Sequence, residues 1–185
     1  YNGVNGKYNS SLNFDGVDDY VEISDSDSFN FGTGPFSLSM WFKKIGENRG
    51  DIFSWKKVDA SDDFGIILQS DETMDIYIKV DGSGGYVVTN GKSFSLNEWY
   101  HAVLLRDGNG NLTTYINGKP DGSGTSNTDI NNIDNGTPIW IGSNKTTGSG
   151  APALGINGQI DDVRIYNYAL KAEQIKTLYN DTTAV

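Results

Sequence analysis

The 185-residue chain contains no cysteine, so it forms no disulfide and offers no thiolate metal site. Histidine occurs once, as His101, which excludes a histidine-rich zinc site. Glutamate is also scarce: Glu22, Glu47, Glu72, Glu98 and Glu173 are the only ones. No run of 18 apolar residues is present, so no segment reads as a membrane-spanning helix. Basic residues number 14 against 24 acidic ones, a formal net charge of −10. Phosphate-backbone recognition relies on Lys and Arg, so a nucleic-acid partner is disfavoured. The same charge suits solubility and is compatible with bound cations. Neither G-x-S-x-G nor G-x-x-x-x-G-K-[ST] occurs. The glycine-rich DGSGG and TTGSG precede no helix and read as turns.

What is present is aromatic. Hydrophobic residues make up only 36% of the chain while aromatics reach 12%, so a few large rings carry much of the buried area. That balance suits a sheet protein with polar loops. The length fits one domain over residues 1–185 with a core from about Leu12 to Tyr179. The opening YNGVNGKYNSS does not read as a signal peptide, and a first residue Tyr1 in place of Met suggests a processed product or a piece of something longer.

Short strand-like runs recur between clusters of Gly, Asn, Asp and Ser: SLNF, YVEI, FSLSMWFKK, DIFSWK, FGIILQS, MDIYIKV, YVVTN, WYHAVLLRD, LTTYING, IWIG and IDDVRIYN. Asp107–Asn111 reads as a tight hairpin, and Asn117–Gly118 as a type I′ turn followed by the turn-rich PDGSG. Many short strands at this spacing predict an all-β, two-sheet antiparallel jelly-roll sandwich. Only ALKAEQIKTLYN reads as helix, with Leu170, Ile175, Leu178 and Tyr179 on one face. Two polar stretches, residues 121–137 and 143–158, read as long loops, where binding groups tend to sit. Glu22–Phe29, EISDSDSF, lacks the spacing of a twelve-residue calcium loop and reads as solvated.

The strand GQIDDVRIYN poses a question. Alternate side chains share a face, so Asp161 has the parity of Val163 and Ile165. An unpaired carboxylate in an apolar layer costs several kcal/mol or becomes neutral (roughly 2–7 kcal/mol for uncompensated polar groups, more for a charge). Pairing with Arg164 or a lysine, capping by backbone N–H groups, or a hard cation would each relieve it. Calcium takes oxygens from carboxylates, carbonyls and water. The acidic turn NFDGVDDY, with Asp15, Gly16, Asp18 and Asp19, supplies such oxygens if the first and last strands pair.

Aromatic rings offer a second kind of site, because sugars stack their C–H faces on rings while polar groups hold the hydroxyls. Trp41, Trp99 and Trp140 lie inside strand patterns and read as core. Trp55, where a strand runs into a polar loop, and Tyr86, after a glycine run, read as an exposed platform, with Asn144 and Lys145 as hydrogen-bonding neighbours. His101 sits in a regular strand pattern and reads as structural.

Four segments in order, LNFDGVDDYVEI, FSLSMWFK, NEWYHAVLLRDGNGNLTTYINGK and GQIDDVRIYNYALKAEQIKTLYN, resemble the laminin-G-like, concanavalin A-like jelly-roll domains of bacterial extracellular proteins. The resemblance implies two packed antiparallel sheets and an accessory module of a larger secreted or cell-surface protein. Many such domains bind carbohydrate, some mediate adhesion, and many carry one structural calcium held by an acid at the start of the last strand. The matching acid here is Asp161, with Asp15, Gly16 and Asp18 as its expected partners. Related glucanases use E-x-D-x-x-E on one strand, and no two of the five glutamates fall in that pattern, so an enzyme of that branch is not expected. The expectation is therefore a non-catalytic, monomeric, extracellular carbohydrate-binding module with a structural Ca²⁺. An adhesion or protein-interaction module and a plain spacer are the alternatives.

Overall fold

The computed structural model describes residues 4–56, 63–80, 83–88, 93–126, 130, 136–144 and 154–181. Among the described residues, thirteen strands and one short α-helix follow in chain order: β1 Val4–Asn5, β2 Ser10–Asp15, β3 Val21–Ile23, β4 Phe36–Lys44, β5 Gly50–Lys56, β6 Asp63–Leu68 and β7 Met74–Val80. Then come β8 Ser83–Val88, β9 Trp99–Arg106, β10 Asn111–Ile116, β11 Lys119–Thr125, β12 Ile139–Ile141, β13 Asn157–Tyr166 and the helix α1, Ala172–Asn180. One sheet runs β1-β2-β13-β4-β9-β10-β11 and the other β3-β12-β5-β6-β7-β8. All ladder pairings are antiparallel, giving the expected jelly-roll sandwich. The first long strand, β2, does lie beside the last, β13.

The period-2 pattern of the strands explains the core. On β4, Phe36, Leu38, Met40 and Phe42 point inward, and Phe53, Phe64, Ile66 and Ile76 answer from the second sheet. Rings pack closely between the layers, as Phe53 on Phe64 at 5.0 Å and Phe42 against Phe94 at 5.3 Å. Each such side chain contributes about 1.5–3 kcal/mol by leaving water. Asn117 and Gly118 both take positive φ, 52° and 73°, as the type I′ reading requires. The Asp107 carboxylate accepts from the backbone N–H of Asn109 at 2.8 Å and Asn111 at 2.9 Å, which closes the other hairpin.

Two expectations need correction. PDGSG is not a turn: it lies within β11, an edge strand paired with β10. The polar stretch from residue 121 therefore begins as a strand, and its scarcity of apolar residues reflects an edge position with little to bury. EISDSDSF is not all loop, because Asp27–Phe29 forms one 3-10 turn capped by the Ser26 side chain.

The outer face of the seven-stranded sheet is closed by α1. Its Ile175, together with Leu170, packs on Val103 and Leu105 of β9. Tyr179 stacks on Trp41 at 5.7 Å, and Trp41 lies 5.1 Å from His101. The Tyr8 hydroxyl donates to the carbonyl of Asp181 at 2.7 Å, so the two ends of the described chain meet here. Among the described residues, no helix lies on the outer face of the other sheet.

Candidate functional site

The last strand answers the parity question with a bulge. Ile160 faces Phe42 and Asp161 faces Trp41, but Arg164 faces Ser39 and Ile165 faces Leu38, so one extra residue sits in β13 between Asp161 and Arg164. Asp162 takes a positive φ of 50° within it. The extra residue moves Val163 and Ile165 to the core side and leaves Asp161 on Trp41's side, away from the core. The Asp161 carboxylate accepts the backbone N–H of Tyr8 at 3.0 Å. Arg164 donates to Asp162, not to Asp161, at 2.7 Å, and that bond raises its already high pKa.

The four expected calcium ligands are not brought together. Asp15 pairs with Asn157, so Asp161 lies four residues further along β13, about 13 Å away at roughly 3.3 Å per residue. The Asp15 carboxylate instead closes its own turn, accepting from the N–H of Val17 at 2.8 Å and Asp18 at 3.4 Å. Asp15 and Asp18 are exposed, and Gly16 takes φ 81° beside Asn157. Among the described residues, no three acidic or histidine side chains converge as metal ligands. The set Asp161, Asp15, Gly16 and Asp18 does not fit one cation.

The aromatic platform also dissolves. Trp55 is 1% exposed and belongs to the intersheet core, its indole N–H donating to the Thr137 carbonyl at 3.0 Å. It is therefore a core plug, because its position on β5 shares the inward parity of Phe53. Tyr86 lies in β8 opposite Tyr77, and its side chain is outside the described residues, as is all of Lys145. Asn144 is described and buried. Trp41 and Trp140 are buried as expected, but outside the intersheet core, and Trp99 is only half-buried, with Lys43 5.1 Å from its ring.

A different set of residues comes together on the outer face of the six-stranded sheet. Register places Trp140, Ser54, Gly65 and Tyr77 in one row across β12, β5, β6 and β7. Asp51 with Ile67 and Asp75 forms the row on one side, and Lys56, Asp63 and Lys79 the row on the other. A bulge between Asp51 and Phe53 keeps Asp51 on this face. The missing side chain at Gly65 leaves a slot that Tyr77 fills: a Cβ there would stand 2.5 Å from the Tyr77 hydroxyl. Burial raises the Tyr77 pKa, and the nearby carboxylates of Asp63 and Asp51 raise it further. Trp140 donates its indole N–H to Glu22 at 3.0 Å.

Several buried acceptors on this face are poorly supplied with donors. Both carboxylate oxygens of Asp51, one of Asp63, the Ser54 hydroxyl and the Asn144 amide oxygen are buried without a well-formed hydrogen bond among the described residues, although the Asn144 side chain reaches Asp51 and the Tyr77 hydroxyl reaches Asp63 closely enough to lower the pKa of each. Burial pushes the Asp51 carboxyl up to about 7, with the repulsion of Asp63 adding to it and Asn144 and Arg49 opposing it. Burial likewise raises Asp63, whose second oxygen meets Lys56 at 3.2 Å. Sequence reading placed Asp51 at the start of the strand-like run DIFSWK but assigned it no role. The only signal was its place at the head of an otherwise apolar strand.

Residues 15–176 match the model of the concanavalin A-like lectin/glucanases superfamily. No curated protein matches. Among solved structures, domain 4 of an extracellular arabinanase from Geobacillus stearothermophilus, in complex with arabinotriose, is 20% identical with a TM-score of 0.74. The match covers 96% of this chain and 80% of that one. The carbohydrate-binding module of a Ruminococcus gnavus sialidase, bound to sialyllactose, is 13% identical with a TM-score of 0.66 over 89% of this chain and 98% of that one. A Limulus polyphemus pentraxin is 22% identical with a TM-score of 0.60 over 92% and 75%. Identities this low establish the shared fold alone.

Proposed function

Because the chain belongs to the concanavalin A-like lectin/glucanases superfamily, we propose that it is a non-catalytic carbohydrate-binding module whose ligand face is the outer side of the six-stranded sheet. The buried acceptor oxygens there, poorly supplied with donors, carry the reading. A glycan is a dense array of hydroxyl donors, and buried acceptors without donors are costly (roughly 1–3 kcal/mol each). α1 packs on the outer face of the seven-stranded sheet, and among the described residues no helix covers this one. First contacts fall to the partly exposed Lys56, Gln69 and Asp75 and to the exposed Glu22 and Lys79 at the rim.

Binding of arabinotriose by one structural neighbour and sialyllactose by another supports a glycan as the ligand class. The extracellular setting of the arabinanase supports a secreted or surface location here. A glycosidase needs two carboxyl groups about 5–9.5 Å apart across a bond. Asp51 and Asp63 lie two same-face rows apart, about 13 Å of strand, and Asp63 is bound to Lys56. That arrangement favours binding over hydrolysis.

The test is a glycan array followed by calorimetry on the best hit. Lys79→Ala should weaken binding by about tenfold, close to 1.4 kcal/mol, with the melting midpoint unchanged, and Asp75→Ala should weaken it to a similar extent. A chain that binds no glycan but captures a protein partner would replace this reading with an adhesion module. A chain that binds neither is a spacer.

A further inference from the structure

We propose that the cavity between the two sheets, at the edge where β2 and β13 face β3 and β12, binds a small amphiphile with an aliphatic body and a cationic, hydrogen-bond-donating head. The cavity measures about 490 Å³, inside the range of small-molecule pockets, roughly 300–1,000 Å³. Its apolar walls are Leu12, Ile160 and Val163 from one sheet and Val21, Ile23 and Ile141 from the other. All six belong to the intersheet core or pack against it, yet Leu12, Val21, Ile23 and Val163 are only half-buried.

Two features of the chain leave this space open. Elsewhere the core is filled by rings such as Phe36, Phe42, Phe53 and Phe64, whereas these six side chains are all aliphatic. The strands also part at this edge. β13 pairs with β2 only as far as Ile160 opposite Leu12, and its register with β4 skips from Asp161 to Arg164. Asp162 and Val163 therefore have no register partner on either neighbouring strand. Across the layer, β3 is three residues long. Protein interiors normally pack with few voids larger than a water. The half-buried aliphatic surface here would be taken out of water by an apolar body of matching size.

The opening sets the chemistry of the head. Ser10, Asp161 and Asp162 line it. The Asp162 carboxylate is met by Arg164 at 2.7 Å. The Asp161 carboxylate accepts the Tyr8 N–H and keeps further lone pairs for a donor. Lys7 is held over the Trp41 ring at 4.2 Å, on the outer face of the sheet. Two acids against Arg164 leave the opening negative, on a chain whose net charge is −10. An ammonium head fits that balance and a carboxylate head opposes it.

The cavity lies on neither outer face, so its test stands apart from the glycan reading and uses no sugar. The full chain is titrated by calorimetry at neutral pH with n-octylamine, n-octanol and n-octanoate, one tail with three heads. Octylamine should bind at one site, about tenfold more tightly than octanoate. Hexylamine should bind about fifteenfold more weakly than octylamine, since each buried methylene is worth about fourfold. Leu12→Phe, which puts a ring into the cavity, should weaken octylamine at least tenfold while the melting midpoint holds or rises. Asp161→Asn should weaken octylamine and leave octanol unchanged. Circular dichroism checks that each variant is folded, and if Leu12→Phe fails to fold, Val163→Phe takes its place with the same expectation. The proposal is overturned if octylamine saturates no single site, or if the folded cavity-filling variant binds it as tightly as the unmodified chain. Octanoate binding as tightly as octylamine would overturn the cationic head.

Discussion

The Asp161 carboxylate accepts the backbone N–H of Tyr8 at 3.0 Å across 153 positions of sequence. This bond ties the segment before β2 to the last strand at its bulge. Removing the acceptor leaves a partly buried N–H unpaired, at a cost of about 1–2 kcal/mol. Asp161→Ala should lower the urea midpoint by that amount, and Asp161→Asn, which keeps an acceptor oxygen, by less. Equal losses in the two variants would show that charge, not the hydrogen bond, is what matters there.

Trp55 should report on stability, not on ligand. It is buried between the sheets and its indole N–H is satisfied by Thr137. Trp55→Ala should cost about 3–5 kcal/mol. Trp55→Phe should cost less and leave any glycan affinity unchanged, as calorimetry on the folded variant would show. A selective loss of affinity in Trp55→Phe would contradict this placement.

Gly65 and Tyr77 should behave as a unit. Adding a Cβ at Gly65 drives the Tyr77 ring out of its slot and away from Asp63. Gly65→Ala should therefore destabilise by about 1–3 kcal/mol. In a double-mutant cycle with Tyr77→Leu the two costs should fall short of additivity by at least about 0.5 kcal/mol. Additive costs would mean the ring does not depend on the slot.

His101 should make the fold sensitive to acid. Burial, with Arg164 and Lys7 adding to it, lowers its pKa from 6.5 to about 4. Between those values the unfolded chain binds the proton more readily than the folded one, so stability falls as pH drops from about 6.5 to about 4. The loss amounts to about 3 kcal/mol, at 1.36 kcal/mol per pKa unit. Unfolding free energy measured in EDTA across this range, as the difference between the unmodified chain and His101→Gln, should show that slope. A flat difference would mean that His101 is charged in the folded state or does not titrate in this range.

Much of the fold was legible in the sequence because its strands obey local rules. Alternation in FSLSMWFKK marks a core face, and Asn117–Gly118 can hardly be anything but a turn. The helix showed itself through Ile175, Leu178 and Tyr179, while Leu170 proved to lie just before it. The site was less legible for a geometric reason. Parity along a strand fixes a face only while the register is unbroken, and bulges interrupt both β5 and β13. Asp161 was therefore assigned to the wrong side, and Asp51 was not assigned at all. Trp55 failed differently: nearness to a polar loop in sequence says nothing about which layer a ring enters.

The bond from Tyr8 to Asp181 has a mechanical side. Tension applied through the two ends would enter and leave the sandwich at one corner. The ladder would then open pair by pair from that corner, instead of shearing all at once, so the domain should yield at low force when stretched in a single-molecule experiment.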